Sequence, residues 1–411
     1  MDKLTVWEKV FFLEKCGDEE FVKTCSLNTE WRNLCYHSVH TQRIFQSRSE
    51  NRISEEIRAF IPKNMSWKEF YIRIFQFQKK PRNIRQYCAR GDLLEIKILT
   101  NMNPPILPDE MDVDFAAGRG HLEVLKYLMT LDPPISARPY SADWAVGQGH
   151  IDVLQYLISI GIRPTPDGAN RAAANGQITS LEYLMSLNIL PTSQGVNEAA
   201  AKGHLEILEY LIPLGIRPTP NGANWAAREG HVHILKYLMS LDPPIRPTES
   251  GANDAAENGH LDVVRYLVSL NIFPTTRGVE GATVNGHFKM VEYLVPLGIF
   301  PSSHAATQAA EHGHYEIVKY LISQKIRPSP YGADRATENG HTKLVNYLMS
   351  QRIFPTEDGA DWAASNGHLK LLRSLVSQNI RPTKRGAQMA AAMHQQEVLY
   401  YLASLSPPIL P

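Results

Sequence analysis

Cysteine is scarce: the 411 residues hold four, Cys16, Cys25, Cys35 and Cys88. No two form a Cys-x-x-Cys pair, which argues against a dithiol redox centre or a zinc ribbon. Cys25, Cys35, His37 and His40 have the wrong spacing for a structural zinc site. The four cysteines read as buried apolar thiols in a reducing compartment, and no metal or cofactor is expected. Long apolar runs are also missing, since none reaches the roughly 18 residues of a membrane span. Asp2 and Glu8 stand too early for a secretory signal. Net charge is missing as well, with Lys+Arg and Asp+Glu both at 42. That balance gives no general reason to expect nucleic acid or an anionic membrane as partner. Phosphate loops, nucleophile elbows and His-Glu-x-x-His are absent too. No catalytic residue is assigned, and the chain reads as a non-enzyme.

What is present is a glycine on a near-fixed step. It stands at Gly91, Gly120, Gly149, Gly176, Gly203, Gly230, Gly259, Gly286, Gly313, Gly340 and Gly367. The steps are 27 residues, except for three of 29, and nine of these glycines are followed by His. Such regularity predicts a stack of near-identical units in which each covers the next.

One unit shows the local physics. Thr219 fits an N-cap and Pro220 the first helical position, where a missing N–H is harmless. A first helix to about Glu229 is rich in small residues: Gly222, Ala223, Ala226 and Ala227. Gly222 costs about 1 kcal/mol of helix propensity relative to Ala, which implies a crowded backbone there. Gly230-His231 forms the turn. A second helix carries Val232, Ile234, Leu235, Tyr237, Leu238, Met239 and Leu241, a broad apolar arc that needs cover from both sides. Gly215, replaced by Asn188, Asn271 and Asn379 in other units, closes the second helices. The 29-residue steps contain Pro-Pro inserts, as at Pro133-Pro134 and Pro243-Pro244.

The run Ala199-Ala200-Ala201-Lys202-Gly203-His204-Leu205-Glu206-Ile207-Leu208-Glu209-Tyr210-Leu211 resembles the ankyrin-repeat signature, and its like recurs from about Asn83 onward. The fold class this implies is an all-α solenoid of about 12 ankyrin-like helix-turn-helix repeats over residues 81–411. The step is shorter than the ~33 residues usual for the family. Six residues are missing from the connection, so a tight loop is expected in place of a projecting β-hairpin.

Three kinds of position repeat. The Gly-His histidines read as bridges between backbone groups, because a catalytic residue is needed once and not nine times. Tyrosines such as Tyr210, Tyr237 and Tyr266 read as inter-repeat packing. Asn170, Asn197, Asn224, Asn253, Asp334 and Asp361 read as a hydrogen-bond ladder. A fourth position, just before the alanine pair, varies freely: Phe115, Trp144, Arg171, Glu198, Trp225, Asp254, Gly281, Gln308, Arg335, Trp362 and Met389. Trp and Arg often anchor interfaces. The family resemblance places binding on the concave first-helix face and the inter-repeat loops. It thereby makes Trp144, Arg171, Trp225, Arg335 and Trp362 candidate partner contacts. The alternative is that these side chains lie over neighbouring repeats.

Residues 1–80 do not repeat. The order Val6 to Glu14, Asp18 to Val22, Cys25 to Cys35 and Arg43-Ile44-Phe45 resembles an F-box or F-box-like module. Met65-Ser66-Trp67-Lys68-Glu69 resembles the segment that often follows it. Leu4 is followed by Thr5 rather than the usual Pro. The resemblance implies a helix-in-groove dock on a Skp1-like protein through Leu4, Trp7, Val10, Phe11 and Leu13. The other reading is an N-terminal helical cap, which a solenoid needs in any case. An F-box-like segment ahead of such an array resembles the layout of proteins of large DNA viruses of amoebae.

The function expected is protein–protein interaction by a monomer, as a substrate-recruiting adaptor for an SCF-type ubiquitin ligase. The alternative is a scaffold or host-interaction decoy with no ubiquitin link. Cytoplasmic location is expected, in host cytoplasm if the chain is viral. Lys79-Lys80-Pro81-Arg82 keeps the nucleus open.

Overall fold

Thr or Ser followed by Pro, then a run of small residues, then Gly, dictates a short helix with sharp ends. The computed structural model has this form. It describes residues 35, 39–50, 65–66, 68–69, 72, 83–101, 105–133 and 135–411. Leu4, Trp7, Val10, Phe11 and Leu13 lie outside the described residues. Among the described residues there is no strand, and twelve helix pairs follow one another from Ile84 to Ala403. The tight loops expected in place of a hairpin are therefore observed. The chain divides into two compact units, Met1–Gly195 and Val196–Pro411.

The first unit includes a helix at Val39–Glu50, which buries Thr41 and Phe45. Ser66 and Glu69 bond reciprocally, Ser66 N–H to Glu69 Oε2 at 3.0 Å and Glu69 N–H to Ser66 Oγ at 3.3 Å. This is a capping box. Cys35 is disulfide-bonded, and its partner lies outside the described residues. That corrects the expectation of free thiols throughout and removes the basis for inferring a reducing compartment. Cys88 is a free, buried thiol, pushed up to about 12 chiefly by burial. The helix pairs of this unit begin with Ile84–Arg90 and Leu93–Thr100 and run to Pro166–Ala174 and Ile178–Ser186.

The second unit shows the repeat at its most regular. Pro220–Arg228 is the first helix of a pair, Gly230 turns with φ 83°, and Val232–Ser240 is the second. First helices pack closely on first helices, as Pro220–Arg228 does on Glu249–Glu257. Ala226 and Ala227 are fully buried between them. Of the predicted apolar arc, Ile234, Leu235 and Leu238 are fully buried, and Tyr237 and Met239 half-buried. The left-handed position after the second helix holds Gly215, Asn271 and Asn379 as expected, and also Lys325 and Arg352.

Three ladders join neighbouring pairs. In the first, the mid-helix Asp or Asn accepts the N–H of the next unit's cap residue. Thr219 N–H donates to Asn197 Oδ1 at 2.8 Å, and Thr383 N–H donates to Asp361 Oδ1 at 2.6 Å. This corrects one detail. Thr219 sits at the N-cap but makes no side-chain bond to its own helix. Its hydroxyl instead accepts from Asn197 Nδ2 at 3.0 Å. The crowding inferred at Gly222 has the same cause, since a Cβ there would stand 2.6 Å from Asn197 Oδ1.

In the second ladder, turn histidines reach back one unit. His341 Nε2 bonds the Glu311 carbonyl at 3.1 Å, and His368 Nε2 bonds that of Glu338 at 2.9 Å. The same carbonyls accept from Asn339 and Asn366, both at 2.9 Å. The histidines bridge two turns rather than one. The third ladder runs along the second helices, where a cation lies over the next tyrosine. Arg265 is 4.9 Å from the Tyr293 ring centroid, and Arg373 is 5.3 Å from that of Tyr401.

Candidate partner-binding face

The variable position projects from the middle of each first helix, one residue beyond the buried Asp/Asn ladder. The ladder and the buried alanines recur in successive first helices, so this position is presented on a fixed register. The position four residues earlier is one helical turn back on the same face. It varies as freely: Met111, Tyr140, Asp167, Asn221, Arg277, Tyr331, Asp358 and Arg385. Sequence reasoning missed this second column. Its signal was available in the i, i+4 relation to the first.

In the first unit the two columns form a packed row. Trp144 lies 5.2 Å from the Phe115 ring and 5.8 Å from Tyr140. Gly118 makes room for it, since a Cβ there would meet the indole at 2.8 Å. Arg171 lies 5.2 Å from the Tyr140 ring, and Arg85 is 5.9 Å from that of Phe115. Arg85 is also tied to Asp109 at 2.8 Å and to Asp112 at 3.2 Å. Trp144 is half-buried against the preceding repeat, as the reading that these side chains lie over neighbouring repeats expects, while Tyr140 is 43% exposed beside it.

In the second unit the candidates separate. Arg335 donates through Nε and Nη2 to Glu311 Oε1, at 3.0 and 2.8 Å, and through Nη1 to Glu338. The Glu311 bond raises its pKa further still, and burial only partly opposes this. Its guanidinium also lies 5.9 Å from the Trp362 ring. Arg335 and Trp362 therefore form a braced pair. Arg277 is likewise held, by Asp254 at 2.9 Å and Glu257 at 3.8 Å. Trp225 differs. It is 38% exposed, with Asn221 one turn back, also exposed. Of the five candidates, it presents its ring most freely.

No metal-site candidate is found: among the described residues no group of three or more His, Cys, Asp or Glu could hold an ion. Among the described residues no helix is long and apolar enough to cross a membrane.

Residues 196–278 match the family model for ankyrin repeats, in three copies. The matched stretch lies within the second unit and covers less than half of the chain. No curated protein matches the sequence. Solved structures similar to this chain include the pentatricopeptide repeat protein PPR10 in complex with an 18-nt psaJ RNA element. It is 10% identical, with a TM-score of 0.42, covering 98% of this chain and 67% of that one. The same protein from maize gives 10% identity and a TM-score of 0.37, covering 98% and 68%. A likeness this distant carries no argument about function. The ankyrin match and the helix-pair architecture agree with the repeat read from the glycine step.

Proposed function

We propose that this chain is a protein-binding solenoid whose first-helix face captures a partner, with Trp225 as its leading anchor. Trp144, Arg171, Arg335 and Trp362 complete the candidate contacts. The observation that carries this reading is the exposure of Trp225 on a face whose scaffold is otherwise uniform. A large aromatic left open on a rigid, variable surface is what a protein interface uses as an anchor. The neighbours already clasp Arg335, so its part is to shape the face rather than to supply a free charge.

We further propose that residues 1–80 form an F-box-like module and residues 81–411 the repeat array. Docking of a Skp1-like protein through Leu4, Trp7, Val10, Phe11 and Leu13 would make the chain a substrate-recruiting adaptor of a ubiquitin ligase. The test is co-purification of the full-length chain with Skp1. A chain with Leu4, Trp7 and Phe11 replaced by Ser should lose Skp1 and keep any partner held by the repeats. Failure of the unsubstituted chain to retain Skp1 would sink the adaptor role and leave a scaffold or decoy with no ubiquitin link. Capture that survives Trp225→Ala would move the partner site off the first-helix face.

A further inference from the structure

The connections between pairs in the second unit carry a pattern of their own. Each ends in Ile-x-Pro, and x reads Arg217, Arg246, Phe273, Phe300, Arg327, Phe354 and Arg381. In these seven connections the position is arginine or phenylalanine. The phenylalanines are not core: Phe273 is 42%, Phe300 50% and Phe354 43% exposed. Leu214 and Leu297, in the same connections, are 55% and 44% exposed.

The charge is equally one-sided. The connections 212–219, 239–248, 268–275, 295–302, 322–329, 349–356 and 376–383 hold Arg217, Arg246, Lys325, Arg327, Arg352 and Arg381. Against these six cations stands one acid, Asp242. The chain as a whole is neutral, so this edge concentrates positive charge that the net figure conceals. Arg217 Nη2 donates to the Pro243 carbonyl at 2.6 Å, and Arg381 Nη2 donates to that of Pro407 at 2.5 Å. Arg327 donates to the Gln351 carbonyl. These bonds align successive connections along one edge. They involve no carboxylate, so the positive charge is left unneutralised.

We propose that this loop edge docks on a bilayer bearing anionic phospholipids, with Phe273, Phe300 and Phe354 entering the interfacial zone. The cations would lie at the level of the phosphates. A bilayer suits the pattern because the three phenylalanine tips stand on separate connections, with arginine at the same place on the other four. A fluid surface accepts separate protrusions without matching their spacing. Aromatic rings and guanidinium groups both favour the headgroup boundary, and a cationic edge is drawn to negative lipid. The proposal is independent of the first-helix face, which projects from other residues.

The test is sedimentation of the full-length chain with vesicles. Phosphatidylcholine vesicles with about 30% phosphatidylserine should bring the protein down, and pure phosphatidylcholine should not. Binding should weaken as salt rises from about 0.1 M to about 1 M. Phe273→Ser, Phe300→Ser and Phe354→Ser together should weaken it roughly tenfold or more, with helical circular dichroism unchanged. Arg246→Glu, Lys325→Glu and Arg352→Glu together should do the same without touching an apolar residue. Equal recovery with both vesicle types would overturn the proposal. So would binding that polyglutamate competes away while the phenylalanine variant binds undiminished, since that marks a purely electrostatic site for an acidic protein.

Discussion

Asn197 Oδ1 accepts the Thr219 main-chain N–H at 2.8 Å, and this bond occupies the space that a side chain at Gly222 would need. Alanine is the better helix former by about 1 kcal/mol. Gly222→Ala should nevertheless destabilise the protein, by roughly 1–3 kcal/mol, because the clash is with a buried, bonded oxygen. Ala305 occupies the equivalent place, and the bond before it is longer, Ser302 N–H to Glu280 Oε1 at 3.3 Å. Ala305→Gly should therefore bring no relief and cost about 1 kcal/mol of propensity. Chemical denaturation of both variants tests the pair of signs.

Burial raises the carboxyl pKa of Asp334 above the ordinary 3.8, even though the Thr356 bonds pull it down. Asp143 is raised likewise, against the bonds from Thr165. Between the ordinary and the raised value the folded protein holds more protons than the unfolded chain. Stability from these groups is therefore greatest at low pH and declines as pH rises through that window. Asp334→Asn removes the effect and keeps the ladder, because Asn197 Nδ2 already serves Thr219 Oγ1 at 3.0 Å. The variant should be more stable than the parent at neutral pH, with the difference shrinking toward about pH 4. Urea midpoints at the two pH values read it out.

The half-buried turn histidines act with the opposite sign. Burial pushes His150, His231 and His314 below the ordinary 6.5. Below that value the unfolded chain takes up protons that the folded turns refuse. Their contribution is complete above about pH 6.5 and is lost as pH falls from there toward the depressed folded values. Glutamine replaces histidine naturally at Gln177 and Gln395. His314→Gln should flatten that part of the pH–stability curve. A curve as steep as the parent's would assign the loss to other groups.

Trp144 and Trp225 share a repeat position but should respond differently. Trp144 packs on Phe115 and over Gly118. Trp144→Ala should cost about 1–2 kcal/mol, less than the ~3–5 of a fully buried aromatic. Trp225→Ala should cost less than Trp144→Ala, about 1 kcal/mol or below, since 38% of its surface is already exposed. It should weaken partner capture instead. Thermal melting combined with pull-down separates the two.

The glycine step, the alanine pairs and the Thr-Pro starts determined the helix pairs, their turns and their approximate number, because these depend on local conformation and on a period. The Asp/Asn and histidine ladders were legible for the same reason, since a residue repeated at one position has one job. The sequence could not say which members of the variable column stay open. Trp144 and Trp225 are the same residue type at the same register, and only the units beside them differ. Phe115, Tyr140 and Gly118 draw the first ring down onto a neighbour, while Glu311 and Glu338 occupy Arg335. Trp225 stands more exposed, at 38%. Exposure is a property of what packs alongside, roughly one repeat away in the chain, and only the tertiary structure decided it.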